Sequence, residues 1–349
     1  MEKKNIDWSN LGFGYIQTDK RFVSNYKGGA WDDGVLTEDA TVVISECAGV
    51  LQYAQTIFEG MKAYRTPDGD VQLFRPIENI RRLNNSADRL CLPQIDEDLA
   101  LEVLTKFVEV EKDWVPKSKG TSLYIRPFII ATEPFLGVSP SSQYKFIIIL
   151  SPVGAYYKEG INPVKIAVEN QYVRSVKGGT GTAKTGGNYS ASLKAQEFAS
   201  KNGCSQVLWL DGVERKYIEE VGAMNIFFKI NGEVVTPMLN GSILDGITRT
   251  SIIELLKHWN IKVTEKRISI DEIYEADQNG QLEEVFGTGT AAVISPVGEL
   301  VWKDKKMVIN NGQIGELSQK LYDTLTGIQN GEVEDPFNWV TEVKTESLV

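Results

Sequence analysis

The spacing of apolar residues along this chain switches repeatedly between the period typical of strands and the period typical of helices. Apolar residues recur at helical spacing over 77–90 and again over 99–108, which predicts two helices that each bury one face. The predicted strands of the first half are residues 40–45, 71–74, 122–130 and 144–150. The first half is therefore predicted to be a mixed α/β structure.

The second half continues the alternation and carries clearer turn signals. A predicted strand at 164–169 leads into a glycine-rich loop and then a helix over 189–200, which Gly203 ends. Asn231-Gly232 between two apolar runs is the strongest short hairpin signal in the chain, and Ser269 with Glu272 forms a capping box. The remaining predicted strands are 207–210, 225–230, 233–236, 284–286 and 293–294.

Residues 151–160 combine proline and glycine with polar residues, which indicates a connection between domains. We therefore expect a small N-terminal domain over 1–150 and a larger domain over 161–349. The length of 349 residues with 42% hydrophobic residues suits two domains with sizeable cores.

Charge and composition exclude several classes of protein. A net charge of −10 argues against a nucleic-acid surface and against binding to an anionic membrane. No apolar run approaches a membrane span, and the first residues contain no apolar signal segment, so we expect a cytoplasmic protein. The cysteines are scattered, which predicts neither a zinc site nor a disulfide framework.

The single histidine, His258, lies in a helix-period apolar run and is interpreted as a residue of a helix surface or end. That position argues against Ser-His-Asp hydrolysis, a single histidine argues against multi-histidine metal sites, and no metal is predicted.

Lys184 is the leading candidate for chemistry, because it stands in a glycine-rich loop that opens a helix. A lysine there can bind phosphate or act as a nucleophilic amine. Residues 178–185 differ by one residue from the phosphate loop of nucleotide-binding proteins. Ala183 replaces the last glycine of that pattern, and Gly186-Gly187 weakens the start of the helix that should follow.

The alternative is a lysine that holds pyridoxal phosphate as a Schiff base. That cofactor needs an amine, phosphate donors, an acid at its pyridine nitrogen and a wall for its ring. The amides of Ile247 and Thr248 at a predicted helix N-terminus and the turn at Thr290 suit a phosphate. Glu220, in an otherwise apolar strand, suits the pyridine nitrogen. In the competing interpretation, these glycine segments are ordinary loops and Glu220 forms an ion pair with Arg215 or Lys216 at the surface.

Six motifs occur in an order that resembles the branched-chain amino-acid aminotransferases, which are fold-type IV pyridoxal-phosphate enzymes. The resemblance extends from about Trp31 to Trp302. The motifs are Phe58-Glu59-Gly60-Met61-Lys62-Ala63-Tyr64, Tyr124-Ile125-Arg126-Pro127, Lys184-Thr185-Gly186-Gly187-Asn188-Tyr189, Glu220-Val221-Gly222-Ala223-Met224-Asn225, Gly246-Ile247-Thr248-Arg249 and Gly287-Thr288-Gly289-Thr290-Ala291.

The resemblance implies a role for each matching residue. Lys184 would form the Schiff base and move the Cα proton, Glu220 would face the pyridine nitrogen, and Tyr189 would bond the phenolic oxygen. The implied phosphate contacts are Arg82, Ile247, Thr248 and Thr290. The implied substrate contacts are Tyr124, Thr290 and Ala291 for the α-carboxylate, Phe58 as a wall of the side-chain pocket, and Tyr53 and Val138 lent by a neighbouring subunit.

The fold implied is an α/β, mixed α+β, two-domain fold with a smaller N-terminal α/β domain and a larger C-terminal domain around a barrel-like mixed sheet. The implied reaction is reversible transfer of the α-amino group of L-leucine, L-isoleucine or L-valine to 2-oxoglutarate by a homodimer or higher homo-oligomer. The alternatives are a D-amino-acid aminotransferase or aminodeoxychorismate lyase of the same fold and, more distantly, a nucleotide-binding protein.

Arg126 follows Tyr124 by two residues, so in a strand both side chains point to one face. An apolar pocket would accept leucine but would desolvate the γ-carboxylate of glutamate. We therefore expect Arg126 to receive that carboxylate.

Overall fold

The computed structural model describes residues 6–154 and 161–344, and these form two compact units. Of the described residues, unit 1 comprises 6–154, 183–186 and 326–344, and unit 2 comprises 161–182 and 187–325. Of the predicted connection at 151–160, residues 155–160 lie outside the described residues, and Ser151 to Val153 continue a strand. The boundaries at 150 and 160 stay a prediction.

Unit 1 contains an antiparallel sheet together with helices. Numbered along the chain, its strands are β1 Arg21–Lys27, β2 Ala30–Trp31, β3 Val35–Thr37, β4 Thr56–Phe58, β5 Met61–Arg65, β6 Val71–Phe74, β7 Ser122–Ala131, β8 Tyr144–Val153 and β18 Val340–Glu342. Its helices include α1 Gly49–Tyr53, α2 Pro76–Arg89 and α3 Glu97–Val110. The strand order is β18-β6-β5-β7-β8-β1-β2, with β3 paired to β1 and β4 paired to β7.

The two faces of β7 serve different purposes, because successive side chains of a strand point to opposite faces. Leu123, Ile125 and Ile129 are fully buried in a core cluster that also contains apolar residues of α2 and α3. Tyr124 and Arg126 alternate with them and are half-buried on the other face. This second face is the one that carries the residues predicted to contact substrate.

Two neighbouring strands add to the same face. In the antiparallel register, Lys62 of β5 stands opposite Tyr124, and Phe58 of β4 stands opposite Phe128. Opposed residues in an antiparallel pair share a face. Phe58, Lys62, Tyr124 and Arg126 therefore project from one side of the sheet.

The predicted strand at 40–45 is wrong, since the structure describes these residues and they form no strand. Val42 and Val43 are 39% and 87% exposed. β-branched residues favour strands only where a neighbouring strand and a core receive them.

Unit 2 is built on a second, mixed sheet. Its strands are β9 Val164–Val168, β10 Gln206–Leu210, β11 Ile218–Val221, β12 Asn225–Ile230, β13 Glu233–Pro237, β14 Val263–Lys266, β15 Leu282–Gly289, β16 Val293–Trp302 and β17 Lys305–Val308. The strand order is β11-β10-β9-β16-β15-β12-β13-β14, with β17 on β16. Pairs β9–β10, β9–β16 and β13–β14 are parallel and the others antiparallel, which confirms the mixed sheet.

The later helices mostly follow their sequence signals. They are α4 Gly186–Ser190, α5 Leu193–Lys201, α6 Ile247–His258, α7 Ile270–Gln278 and α8 Glu316–Gln329. The capping box of Ser269 and Glu272 is confirmed, and so is the hairpin at Asn231-Gly232, where both residues have positive φ. The single helix predicted over 189–200 is instead two helices that break at residues 191–192.

His258 ends α6 on the surface, as expected. Among the residues described, none of the helices combines the length and apolarity needed to cross a membrane.

Candidate active site

Lys184 is held by its backbone in unit 1. The Phe58 N–H donates to the Lys184 carbonyl at 3.0 Å, and the Lys184 N–H donates to Ser86 Oγ of α2 at 2.9 Å. The Thr185 hydroxyl donates to the Thr56 carbonyl at 2.7 Å. These bonds tie the lysine segment to β4 and α2, so the position of the side chain is set by the sheet that carries Phe58.

The lysine amine lies 4.9 Å from the centroid of the Phe58 ring. The helix that follows Lys184, α4, is only five residues long. A phosphate loop of a nucleotide-binding protein instead leads directly into a long helix. The arrangement therefore favours the amine interpretation over the phosphate-loop interpretation.

Arg82 is paired with a carboxylate that sequence reasoning did not single out. Its Nε and Nη2 donate to the two oxygens of Glu59 at 2.7 and 2.9 Å, and Asn79 Nδ2 donates to Glu59 at 2.7 Å. Glu59 is fully buried and Arg82 is 8% exposed. Burial by itself would raise the pKa of Glu59, but the Arg82 guanidinium, assisted by Lys184 and Asn79, holds that pKa below its usual value. The pair is thus a fixed, charged support beside Lys184.

Tyr124 and Arg126 are brought together as predicted. Arg126 Nη2 donates to the Tyr124 hydroxyl at 2.8 Å, and the guanidinium carbon lies 4.6 Å from the centroid of the Phe58 ring. Arg126 Nε is buried and has no hydrogen-bond partner among the residues that the structure describes. The Phe13 ring packs edge-on against Tyr124 with centroids 5.2 Å apart, a contact that no sequence motif indicated.

Lys62 is a second residue that the sequence analysis did not assign, although it belongs to the first motif. It is 7% exposed, and burial lowers its pKa to about 8. Because it stands opposite Tyr124 in the sheet, this face carries a third basic side chain besides Lys184 and Arg126.

Tyr53 and Val138 lie elsewhere on unit 1, in an exposed apolar patch. They are 44% and 86% exposed, and the neighbouring Phe135 and Leu136 are 52% and 66% exposed. The Tyr53 hydroxyl donates to the Leu136 carbonyl, which joins α1 to this loop. The structure therefore places both residues on a surface.

In unit 2, Glu220 is buried in β11 with 2% exposure. Its Oε2 lies 2.6 Å from Arg174 Nη1, and Arg174 is 7% exposed. The alternative of a surface pair with Arg215 or Lys216 is therefore wrong. Arg174 precedes Lys184 by ten residues, and no short-range signal identifies it as the partner.

Ile247 and Thr248 are the first residues of α6, with Gly246 as the N-cap. The first amides of a helix have no acceptor within the helix and carry the positive end of its dipole, so they can bind a phosphate. A Cβ on Gly246 would come within 1.9 Å of Asn225 Oδ1, so only glycine allows this close approach. The helix start therefore lies tightly against β12.

Thr290 and Ala291 form the turn between β15 and β16 and are half-buried. Thr288, two residues earlier, stands opposite Asn225 in the sheet, on the same face. Its hydroxyl is buried and has no hydrogen-bond partner within the described ranges. Val293, directly after the turn, has φ of 62°, which is unusual for a β-branched residue.

Tyr189 is half-buried in α4, five residues after Lys184. Its carbonyl accepts a bond from the Ser192 hydroxyl at 2.6 Å, which closes the end of that short helix. The role implied for its phenol stays a prediction.

Residues 56–300 match the model of the amino-transferase class IV family, so the chain belongs to that family. It is 62% identical to branched-chain-amino-acid aminotransferase 2 of Bacillus subtilis over 98% of this chain and 94% of that protein. A crystal structure of Escherichia coli branched-chain amino acid aminotransferase is 28% identical, with a TM-score of 0.78 over 94% of this chain and all of that chain. A T.th. branched-chain amino acid aminotransferase, complexed with N-(5'-phosphopyridoxyl)-L-glutamate, is 26% identical with a TM-score of 0.76 over the same shares.

Proposed function

We propose that this protein is a branched-chain-amino-acid transaminase. It would transfer the α-amino group of L-leucine, L-isoleucine or L-valine reversibly to 2-oxoglutarate, with pyridoxal phosphate as cofactor. The similarity to the Bacillus subtilis aminotransferase over almost the whole chain supports this reaction. The observation that carries the proposal is that the Lys184 amine and the Arg126 guanidinium both lie within 5 Å of the Phe58 ring centroid.

The chain contains a residue suited to each group of the cofactor. Lys184 offers an amine to an aldehyde, and buried Glu220 offers a carboxylate to a pyridine nitrogen. The N-terminal amides of α6 offer donors to a phosphate, and so does the buried Thr288 hydroxyl, which has no hydrogen-bond partner in the described part of the chain. When bound, pyridoxal phosphate supplies an aldehyde that takes up the amino group and a conjugated ring that accepts the electrons released at Cα.

The protein would contribute binding and proton transfer. Lys184 would remove the substrate's Cα proton and deliver it to C4′ of the cofactor. A half-buried amine whose backbone is anchored is suited to this proton transfer. Glu220, held by Arg174, would keep a proton at the pyridine nitrogen. Ile247, Thr248, Thr290 and Arg82 would hold the phosphate, and Tyr189 the phenolic oxygen.

The substrate site must accept two side chains of opposite polarity. Phe58 provides an apolar wall for a branched aliphatic chain. The buried Nε of Arg126, which lacks a partner within residues 6–154 and 161–344, provides a donor for the distal carboxylate of glutamate. Tyr124, Thr290 and Ala291 would bind the α-carboxylate common to both substrates. The glutamate adduct named for the T.th. enzyme supports the second substrate.

We also propose a homodimer in which Tyr53 and Val138 complete the pocket of the other subunit. The exposed apolar patch formed by these residues with Phe135 and Leu136 supports this. A sedimentation measurement that found only monomers under active conditions would reject it.

The function is tested by a panel of L- and D-amino acids supplied as donors with 2-oxoglutarate and pyridoxal phosphate. We expect L-leucine, L-isoleucine and L-valine to give glutamate and the matching 2-oxo acids. A preference for D-amino acids would indicate a D-amino-acid aminotransferase. Conversion of aminodeoxychorismate with no transamination would indicate a lyase.

A further inference from the structure

Strand β11 carries two consecutive buried carboxylates. Glu219 and Glu220 are 4% and 2% exposed, and neighbouring side chains of a strand point to opposite faces. Glu220 pairs with Arg174, so Glu219 must be satisfied by a separate set of groups. Burial of a carboxylate is unfavourable without hydrogen bonds, so the partners of Glu219 indicate what it does.

Those partners form one tight turn, Asn240 to Ser242. Asn240 Nδ2 donates to Glu219 Oε1 at 3.1 Å, and the Ser242 hydroxyl donates to the same oxygen. The Ser242 N–H donates to Asn240 Oδ1 at 3.0 Å, which closes the turn on itself. Ser242 is 1% exposed. The Glu219 carboxylate therefore fixes the position of this turn.

The Asn240–Ser242 turn also positions Arg174, the residue that pairs with Glu220. The Ser242 carbonyl accepts a hydrogen bond from Arg174 Nη1 at 2.9 Å, and that same nitrogen lies 2.6 Å from Glu220 Oε2. One guanidinium nitrogen thus donates to the Ser242 carbonyl and forms the ion pair with the Glu220 carboxylate. A displacement of Ser242 would change the direction in which Arg174 holds Glu220.

The Ser242 carbonyl also restricts which residue can stand at Gly181, in the loop that leads to Lys184. A Cβ on Gly181 would come within 2.1 Å of the Ser242 carbonyl oxygen, so the loop lies directly against the turn three residues before the lysine. The Ser242 carbonyl oxygen therefore lies against Arg174, which pairs with Glu220, and against Gly181, in the loop that leads to Lys184.

We propose that Glu219, through Asn240 and Ser242, is a positioning residue for the Arg174–Glu220 pair and for the loop at Gly181. This rests on the proposed function, in which Glu220 holds the pyridine nitrogen. Glu219 makes no contact with substrate or cofactor in this role. It acts by orienting Arg174 and thereby Glu220, just as residues hydrogen-bonded to a metal ligand orient that ligand.

The test uses two variants of the full-length protein, Glu219→Gln and Ser242→Ala. Glu284→Gln is the matched control, because Glu284 is also a buried carboxylate of unit 2 and accepts bonds from the amides of Leu317 and Ser318. If Glu219→Gln fails to fold, Ser242→Ala removes one hydroxyl and tests the same link.

The first measurement is hydrogen exchange of peptides that cover residues 174–182, which does not depend on activity. We expect faster exchange in both test variants and wild-type exchange in the control. The second is the half-reaction with L-leucine together with a pH titration of the bound cofactor's absorbance. The rate constant should fall about tenfold in both test variants, with little change in KM, by comparison with lost outer-shell partners elsewhere. The titration midpoint should move in the test variants and not in the control.

A double variant, Glu219→Gln with Arg174→Lys, shows the route of the effect. If Glu219 acts through Arg174, the two substitutions together should slow the half-reaction less than the product of their separate effects. A fully multiplicative loss would overturn the proposal, and so would exchange and titration like those of the control. If the wild-type protein neither binds pyridoxal phosphate nor transaminates, the proposed function is wrong. The hydrogen-exchange comparison over residues 174–182 would still test whether Glu219 positions the loop.

Discussion

Two consecutive arginines of α2 make ion pairs in opposite environments. Arg81 Nε lies 3.0 Å from Glu97, with side chains 59% and 41% exposed. Arg82 Nε lies 2.7 Å from Glu59, with side chains 10% and 0% exposed. Glu59→Gln and Glu97→Gln therefore each remove one carboxylate charge that pairs with an arginine of α2, and the main difference between the two pairs is burial. We predict that Glu59→Gln destabilises unit 1 far more than Glu97→Gln.

The magnitude follows from what each substitution leaves behind. Removal of one partner of a buried ion pair costs about 3–5 kcal/mol, because the other charge stays buried without compensation. Glutamine keeps the shape of Glu59 and one oxygen for Asn79 or Arg82, so we expect the lower end, about 3 kcal/mol. An exposed pair such as Arg81–Glu97 contributes about 0–1 kcal/mol.

The pH dependence has a definite sign. Burial would raise the pKa of Glu59, but its ion pair with Arg82 lowers that pKa in the folded protein below the usual value of 4.5. The stabilisation by the Glu59 carboxylate is therefore fully present above the unfolded-state pKa and is lost as the pH falls through the folded-state pKa. The difference between wild type and Glu59→Gln should shrink in acid.

The assay is urea unfolding of the wild type and both variants at pH 7 and at several acidic values, with hydrogen exchange of α2 peptides to identify the transition of unit 1. Equal losses for the two variants would show that burial does not govern these pairs. A difference that stayed constant down to acidic pH would show that the charge of Glu59 is not its source.

Four further predictions concern the chemistry and one turn. Lys184→Ala should abolish transamination without unfolding the chain, and substantial turnover in the presence of added pyridoxal phosphate would contradict the role of the lysine. Glu220→Ala should slow the half-reaction by roughly 10²-fold, as loss of a preorganised electrostatic partner does, and should weaken cofactor binding less; an unchanged rate would rule out its role. Arg126→Met should raise KM for glutamate and 2-oxoglutarate much more than for leucine, and equal losses in separate half-reactions would make Arg126 a general support. Burial would raise the pKa of Asp211, but four amide hydrogen bonds, from Val213, Glu214, Lys216 and Tyr217, lower that pKa. Asp211→Asn should therefore reduce the unfolding free energy by roughly 2 kcal/mol at neutral pH, with the difference lost in acid; a difference that persisted in urea unfolding at low pH would contradict this.

Features that depend on a few neighbouring residues could be predicted from the sequence. Ser269 and Glu272 form their capping box within one helical turn, and Asn231-Gly232 forms its hairpin from two residues that tolerate positive φ. The helix α2 could be predicted because one of its faces packs on the core, which gives its apolar residues a helical spacing. The motif around Lys184 was found for the same reason, since glycines and a lysine stand together in the chain.

Partners distant in sequence could not be predicted. Glu59 and Arg82 are brought together by the packing of β4 against α2, and Glu220 finds Arg174 although Arg215 and Lys216 are nearer in the chain. Sequence spacing does not say which of several cations a buried acid will meet, because that depends on how strands are ordered in the sheet. The strand predicted at 40–45 failed for the converse reason, since its residues had suitable propensity but no strand to pair with.

The alternation along β7 also restricts how this protein can change over evolutionary time. A deletion of one residue within Ser122–Ala131 would shift the register by one and turn every later side chain to the opposite face. Placed before Tyr124, it would send the phenol and the Arg126 guanidinium into the core and bring Ile125 to the face proposed to bind substrate. Point substitutions of the side chains on that proposed substrate face carry no such penalty. New specificities at this sheet are therefore accessible by exchange of side chains, while the length of the strand is fixed.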